Sequence, residues 1–280
     1  MRNTLEQFGA QRGGRIDRLQ GRPEPGEDLV GSVLGRAPAR QAAGGRPVIR
    51  RRPAARRTAA RERLTARLTA DGAPPRLVVG LTGAPGSGKS TLAERVETEL
   101  VARGLLAGCV PMDGFHMSNA VLAELDRHGR KGAPDTFDVA GYLAALDRVG
   151  GLDEFGLPAE VLVPVYRRDL HEPVAAGARV AGGGVVLTEG NYLALESGGW
   201  EGARARIDLL VMLDVAQDEL IRRLIARHKG FGRSHVAAAH WVRAVDVPNA
   251  RLVAASASRC DEIWRLEPDG DPAARPSSRA

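Results

Sequence analysis

Nine consecutive residues have the types and spacing of a loop that binds phosphate. They fit the pattern GxxxxGK[ST] and comprise Gly83, Ala84, Pro85, Gly86, Ser87, Gly88, Lys89, Ser90 and Thr91. Glycines let successive backbone N–H groups converge on a phosphate, and Lys89 places a positive charge next to the β- and γ-phosphate oxygens. The Ser90 hydroxyl can ligate Mg²⁺. The segment therefore predicts a nucleoside triphosphate site, the alternative being a glycine-rich turn between two core elements.

Two acidic residues follow apolar segments at the points where strands are predicted to end. Asp113 follows one such segment, and Glu189 follows Val185–Thr188. An acid in the first position can accept the proton of an attacking hydroxyl. An acid in the second position can hold Mg²⁺ together with Ser90, as in a Walker B site. We therefore predict Asp113 as the base and Glu189 as a metal ligand; the alternative for Asp113 is a helix cap or a turn.

Alternating apolar and amphipathic segments predict the elements that position these residues. Strands are predicted at 77–82, 109–112, 161–165, 185–188, 209–213 and 262–265. Helices are predicted at 89–103, 139–149, 216–228 and 247–258. This alternation is typical of an α/β fold in which a mainly parallel sheet lies between two layers of helices, α/β/α. Ligands of such sheets bind beyond the carboxyl ends of the strands.

Charge divides the chain into two parts. Residues 1–75 hold 16 Arg against 7 Asp+Glu, whereas residues 76–280 hold 24 Lys+Arg against 27 Asp+Glu. The first part is also rich in Gly and Pro, which is typical of a disordered basic extension. It is interpreted either as a nucleic-acid arm or as a solvated extension. Residues 76–280 are predicted to form one folded domain, and their slight net negative charge disfavours nucleic acid as a partner of this core.

The sequence also indicates the cellular compartment in which the protein is expected. It contains no apolar run long enough to cross a bilayer and no apolar core of a signal peptide near the N-terminus. The two cysteines, Cys109 and Cys260, are far apart, which fits a reducing compartment and two small packing residues. These observations predict a cytoplasmic protein without a membrane partner.

Six motifs in order carry a family resemblance. They are GAPGSGKST, PMDGFH, GRKGAPDTFDVAGY, VLVPVYRRDLHEP, VVLTEGNY and LIRRLIARH. The chain resembles, from about Leu77 to Arg265, the phosphoribulokinase/uridine kinase family and in particular its nucleoside/nucleotide-kinase-like branch; bacterial P-loop pantothenate kinases are similar too. The resemblance implies a P-loop NTPase fold with a helical lid. It also implies that Asp113 is the catalytic aspartate and Glu189 the Walker B-like acid.

The resemblance extends to residues that would bind the phosphoryl acceptor. Tyr166 and His171 match the tyrosine and histidine that uridine kinases place around the nucleoside. Lys131 lies in a loop, residues 129–138, that is similar to a segment of pantothenate kinases, and Asp138 is predicted to cap the helix that follows. Arg168 is interpreted either as a ligand of a phosphate or carboxylate or as a surface partner of a nearby acid.

The remaining candidates lie near the acids and in the lid. His116 and Asn191 follow the two strand-end acids and could bond acceptor hydroxyls, or satisfy backbone groups instead. In the lid, Arg223 and Arg227 lie four residues apart on one helix face, and we favour them over Arg222 as cations for the transferred phosphoryl group. Three tryptophans, at 200, 241 and 264, are predicted to be packing residues.

These observations predict a kinase that uses ATP and Mg²⁺ to phosphorylate an alcohol on a small metabolite. Sugar, nucleoside and pantothenate-like acceptors stay open, and so does a homodimer. One alternative is a P-loop protein that hydrolyses nucleotide as a switch, which would leave the acceptor-like loops without a purpose. Another is a protein that associates with nucleic acid through its basic extension, which predicts salt-dependent binding that requires residues 1–75.

Overall fold

The fold is seen in a computed structural model, which describes residues 49–51 and 76–266. The strands are β1 Ile49–Arg51, β2 Arg76–Gly83, β3 Leu106–Pro111, β4 Val161–Arg167, β5 Glu172–Val180, β6 Gly184–Gly190, β7 Leu209–Val215 and β8 Glu262–Leu266. The α-helices are α1 Lys89–Ala102, α2 Asn119–Glu124, α3 Val139–Val149, α4 Gln217–Gly230, α5 His235–Trp241 and α6 Val247–Ala255. A π-helical turn, Val242–Asp246, joins α5 to α6.

The main sheet has six strands in the order β1-β8-β7-β2-β6-β3. Its last five strands are parallel, and only β1 pairs antiparallel, with β8. Strand β2 lies between β6 and β7, where Val79 pairs with Leu187 on one side and Leu209 on the other. All eight residues of β2 are buried. A continuous apolar strand of this kind belongs at the centre of a parallel sheet because both of its faces are covered.

Helices cover both faces of this sheet, so the predicted three-layer α/β/α fold is confirmed. On one face, Val96 and Leu100 of α1 pack with buried residues of the central strands and with Trp264. On the other face, Tyr142 of α3 packs in a second core cluster that contains Trp200. The carboxyl ends of the parallel strands therefore meet at one edge, where the phosphate-binding loop follows β2.

One strand prediction is wrong in its placement. Residues 161–165 do form part of a strand, but β4 pairs antiparallel with β5 in a separate two-stranded sheet. The connection between the two, residues 168–171, is long enough for a hairpin and too short for the crossover that a parallel neighbour requires. The alternation of elements did not predict β5, whose middle residues are mostly exposed.

Helix boundaries agree with the predictions to within two residues at three of the four helices. Asp138 caps α3 as predicted, since its side chain accepts a hydrogen bond from the backbone N–H of Gly141. The fourth predicted helix, 247–258, ends earlier, at Ala255, and continues as a 3₁₀ turn. Helices α2 and α5 and the π-helical turn were not predicted.

Most of the predicted basic extension lies outside the described residues. Within it, only Ile49–Arg51 is described, as the antiparallel edge strand β1. Among the helices of the described part of the chain, none is both long and apolar enough to cross a membrane.

A glycine lets the hairpin approach the end of β3. Gly114 lies in the 3₁₀ turn Met112–Phe115 directly after β3, and a Cβ atom there would lie 2.1 Å from the carbonyl oxygen of Pro164 in β4. No side chain can occupy that space unless the hairpin backbone moves. Gly114 therefore sets the distance between Asp113 and the hairpin.

We expect Gly114→Ala to destabilise the protein by about 1–3 kcal/mol, because the added methyl group overpacks a rigid backbone contact. Urea unfolding of the full-length protein measures this change. The matched control is Gly129→Ala, since a Cβ at exposed Gly129 would meet nothing within 4 Å. Equal stabilities of the two variants would contradict the proposed role of this contact.

Candidate active site

The phosphate-binding loop has the backbone geometry that its glycines predict. Gly86 and Gly88 have φ angles of 80° and 90°, which residues with a side chain rarely adopt. A Cβ on Gly83 would lie 2.7 Å from Ser87 Oγ and 2.8 Å from the carbonyl oxygen of Leu213. Helix α1 begins at Lys89 immediately after this loop. Free N–H groups at a helix start and a preceding glycine loop together form an anion site.

Ser90 and Glu189 meet at the start of α1 and could hold Mg²⁺. The Ser90 hydroxyl donates to Glu189 Oε2 over 3.4 Å. Burial raises the pKa of the Glu189 carboxyl, and the charge of Asp113 raises it further, while Lys89, Ser90 and Arg168 act in the opposite direction. The half-buried carboxylate of Glu189 and the Ser90 hydroxyl are oxygen donors of the kind that Mg²⁺ prefers. The residues present therefore fit this metal.

Asp113 lies beside this pair because the strands β3 and β6 are neighbours. Pro111 pairs with Glu189, so the two acids leave the same edge of the sheet. Asp113 is half-buried and faces a cleft of about 330 Å³. The cleft lining includes Pro85, Lys89, Ser90, Asp113, His116, Lys131, Phe137, Tyr166, Arg168, His171, Asn191, Arg227, His228, Arg233, Trp241, Asp246 and Asn249.

Aromatic rings form the wall of the cleft next to Asp113. The His116 ring lies 4.0 Å from that of Phe137 and 4.9 Å from that of Tyr166, between centroids. His116 Nδ1 is 2.9 Å from the carbonyl oxygen of Asp113, which can only accept, so Nδ1 carries the hydrogen. Burial lowers the pKa of His116. The neutral ring can therefore present Nε2 as a hydrogen-bond acceptor.

Two buried aromatic side chains hold the predicted acceptor loop, residues 129–138, by hydrogen bonds to its backbone. The Tyr192 hydroxyl donates to the carbonyl oxygen of Gly132 over 2.5 Å, and Trp200 Nε1 donates to that of Pro134 over 3.1 Å. Lys131 Nζ donates to Asn119 Oδ1 and to the carbonyl oxygen of His171, both over 2.7 Å. Lys131 thus joins the loop to the β4–β5 hairpin in addition to lining the cleft.

The hairpin turn directs Arg168 and its neighbour in different directions. Arg167 pairs with Asp169 at 2.7 Å on the surface, whereas Arg168 lines the cleft. The surface pairing that was one interpretation of Arg168 is thus made by the preceding arginine. Asn191 also lines the cleft, and its buried Oδ1 has no hydrogen-bond partner within the described residues.

The lid helix α4 separates its arginines as the spacing predicts. Arg222 is exposed and bonds Glu219. Arg223 bonds the same glutamate and donates from Nη1 to the carbonyl oxygen of Gly86 over 3.4 Å, so it lies against the phosphate-binding loop. Arg227 lines the cleft one helical turn further on.

The sequence prediction missed several residues that complete the cleft. Trp200 and Trp264 are fully buried, as predicted for packing residues, whereas Trp241 is half-buried and also lines the cleft, which was not predicted. Asp246 and Asn249 reach the cleft from the π-helical turn and α6. Neither belongs to a motif, and the extra residue of a π turn changes which helix face is presented.

A second cavity, of about 420 Å³, lies on the other side of the loop. Its lining is mostly apolar and includes Ala84 of the loop, Val215 and Leu220 before and in α4, and Ala250 of α6. The helix formed by α5, the π turn and α6 therefore borders both spaces, with Val245, Asp246 and Asn249 on the cleft and residues such as Ala250 on this cavity.

Comparisons with known proteins find relatives that the chain matches over most of their length. It is 31% identical over 201 residues to the uncharacterized protein YggC of Escherichia coli, covering 70% of this chain and 80% of that protein. It is 30% identical over 146 residues to the ATP-dependent kinase-like protein notR' of Aspergillus versicolor, covering 50% and 84%. A solved structure described as a candidate fructose transport system kinase from Silicibacter sp. TM1040 is 34% identical to this chain and superposes with a TM-score of 0.61. The match covers 72% of this chain and 95% of that protein.

A family model matches a shorter part of the chain. The model described as methylmalonyl Co-A mutase-associated GTPase MeaB matches residues 48–119. This range contains the phosphate-binding loop, α1 and Asp113, but neither Glu189 nor the lid. The match is therefore informative about the first half of the nucleotide site alone.

We expect Lys89→Ala to weaken the binding of Mg²⁺·ATP by about 10- to 100-fold, because a charge-assisted contact to phosphate is lost. Titration with a fluorescent ATP analogue measures the affinity. Lys229→Ala, which removes an exposed lysine near the end of α4, is the matched control. An affinity of Lys89→Ala equal to that of the control would remove Lys89 from the site.

We also expect the affinity for Mg²⁺ to fall as the pH is lowered. Burial raises the pKa of Glu189, so this side chain takes up a proton at a higher pH than an exposed glutamate and then cannot bind the cation. Calorimetric titration of Mg²⁺ into the ADP complex, from neutral to acidic pH, measures the effect. Glu189→Gln should bind Mg²⁺ weakly at every pH; a pH profile shared by both proteins would contradict the assignment.

Proposed function

The chain belongs to the phosphoribulokinase/uridine kinase family of P-loop kinases, and on this premise we propose that it transfers the γ-phosphoryl group of ATP to a hydroxyl of a small metabolite. One observation carries the proposal. Lys89, Ser90 and Asp113 line the same cleft as the acceptor candidates Tyr166 and Arg168. A nucleotide phosphate on the loop would therefore face a space that is built to hold a second molecule.

The residues suit an in-line phosphoryl transfer. Asp113 accepts the proton of the acceptor hydroxyl, the hydroxyl oxygen forms the new bond to phosphorus, and the bond to the β-phosphate oxygen breaks to release ADP. Lys89 and the loop N–H groups hold the β- and γ-phosphates. Ser90 and Glu189 would hold Mg²⁺, which neutralises phosphate charge. Arg223 and Arg227 stabilise the charge that develops on the transferred group.

Features on the other side of the loop support ATP as the nucleotide. When the phosphates of a nucleotide bind the loop, its flat base could enter the mostly apolar cavity beside Ala84 and Leu220. The sequence has no Asn/Thr-Lys-x-Asp motif of the kind that reads guanine. We therefore propose ATP rather than GTP.

The cleft supports a polar acceptor, and Arg168 favours one that carries an anionic group. Arg168 lines the cleft and forms no ion pair within the described residues, so its charge is available to a phosphate or carboxylate. The rings of His116, Phe137 and Tyr166 offer faces on which a sugar or a base could stack. Sugars, sugar phosphates, nucleosides and hydroxy acids such as pantothenate are the classes to be tested.

A nucleotide-hydrolysing switch is the second candidate function. It is favoured by the match of residues 48–119 to the MeaB GTPase model. A switch would turn over nucleotide at the same rate with or without a small acceptor. The two functions are therefore separated by acceptor dependence.

A screen of the full-length protein for ADP release tests the proposal. The protein is incubated with ATP and Mg²⁺ and with pools of sugars, sugar phosphates, nucleosides and hydroxy acids. We expect one pool to raise ADP release well above the rate without acceptor, and its members then identify the substrate. Equal hydrolysis in every pool, or faster hydrolysis of GTP, would instead support the switch.

We expect Asp113→Asn to reduce phosphoryl transfer by about 100- to 10,000-fold, because the amide cannot accept the hydroxyl proton. Nucleotide affinity should stay near that of the wild type, since the loop is unchanged. Asp126→Asn, at an exposed position with φ of 53° that asparagine tolerates, is the matched control. Transfer by Asp113→Asn at the rate of this control would exclude Asp113 as the base.

A further inference from the structure

A histidine and an aspartate form a largely buried pair within the lid. His228 Nε2 donates to Asp246 Oδ2 over 2.8 Å, and the two side chains are only 17% and 13% exposed. His228 lies near the end of α4, and Asp246 ends the π-helical turn. Burial raises the pKa of Asp246, against the attraction of His228, Arg227 and Arg233. Two positive side chains of the lid therefore lie close to this carboxylate.

The backbone of His228 connects the pair to the next cation. The N–H of Arg233 donates to the carbonyl oxygen of His228 over 3.1 Å, across a turn in which Gly232 has a φ of 87°. The Arg233 guanidinium then lies 4.1 Å from the centre of the Trp241 ring. Trp241 itself ends α5, which continues through the π turn to Asp246.

These contacts form a closed circuit between two helices. His228 bonds Asp246, and the π turn and the end of α5 connect Asp246 to Trp241. The Trp241 ring contacts Arg233, whose backbone N–H bonds His228 again. Each member lines the cleft. Arg227 precedes His228 directly, so the orientation of this helix end also decides where Arg227 points.

From this circuit we infer that Asp246 and His228 are positioning residues, which fix the end of α4 so that Arg227 and Arg233 face the transferred phosphoryl group. The expected effect of this pair on kcat rests on the proposed phosphoryl transfer, whereas its effect on the position of the end of α4 does not. Asp246 is the last residue of the π turn, and together with Val245 and Asn249 it lies on the cleft side of a helix whose other side borders the second cavity. Without the pair, the end of α4 loses its buried polar contact to the helix it packs on.

Loss of the His228–Asp246 pair should lower kcat and leave the KM for ATP nearly unchanged. Cations that act on the charge of the transition state affect kcat, whereas Lys89 and the loop hold the nucleotide in the ground state. We expect His228→Leu to lower kcat by about 10- to 100-fold, because a small displacement of a catalytic cation is costly. The KM for ATP should change little. His228→Gln, whose amide can still donate to Asp246, should recover most of the activity.

Fluorescence of Trp241 gives a readout that needs no acceptor. Trp200 and Trp264 are fully buried, so quenching by neutral acrylamide reports mainly on Trp241. We expect stronger quenching in His228→Leu and in Asp246→Leu than in the wild type, because the circuit that orders Arg233 against the ring is broken. His228→Gln should be quenched like the wild type. His235→Leu, at an exposed position of α5, is the matched control.

Several outcomes would overturn the inference. Wild-type kcat and quenching in His228→Leu would show that the pair positions nothing. Equal losses of kcat in His228→Leu and His228→Gln with unchanged quenching would make His228 a residue that contacts substrate directly. If His228→Leu fails to fold by circular dichroism, Asp246→Ala, which removes the acceptor of the hydrogen bond, replaces it with the same expectations. If the wild type phosphorylates no acceptor, the proposed function fails while the quenching comparison still decides the role of the pair.

Discussion

The half-buried carboxyl group of Glu189, which accepts a hydrogen bond from Ser90 at the end of a central strand, is the constraint on which the nucleotide site depends. A carboxylate at the end of a central strand loses the solvation of water, and the rise in its pKa expresses that cost. Lys89, Ser90 and Arg168 partly compensate it. We propose that nucleotide-bound Mg²⁺ supplies a further positive charge there. Asp113, in the turn after the neighbouring strand β3, adds a second negative charge to the same region, which favours a bound cation.

The parallel sheet is what brings these groups together. Pairing of β2 with β6 and of β6 with β3 aligns three strand ends, so the phosphate-binding loop, Glu189 and Asp113 are adjacent although they are far apart in sequence. The β4–β5 hairpin and the aromatic wall then close the cleft on the acceptor side. The lid helix closes it on the phosphate side, where Arg223 contacts the loop and Arg227 faces the cleft.

Much of this arrangement was predictable because its signals are local. A glycine loop between an apolar strand and a helix has few other meanings, and the strand-end rule then selects the two acids. Residues 161–165 were assigned to the parallel sheet because they are as apolar as its strands, whereas their antiparallel partner β5 is mostly exposed and weakly patterned. Asp246 was missed for another reason: a π turn changes which side chains face the cleft, and the spacing of residues in the sequence does not indicate such a turn.

Transfer of a labelled phosphoryl group tests the account most directly. The full-length protein would be incubated with Mg²⁺, ATP labelled with ¹⁸O at the γ-phosphate and a small-molecule metabolite extract, and the products followed by mass spectrometry. The account predicts that the label appears in a phosphate monoester of one metabolite or of a few related ones, and that Asp113→Asn abolishes this product. Label found only in inorganic phosphate would contradict it and would identify the protein as a nucleotide hydrolase.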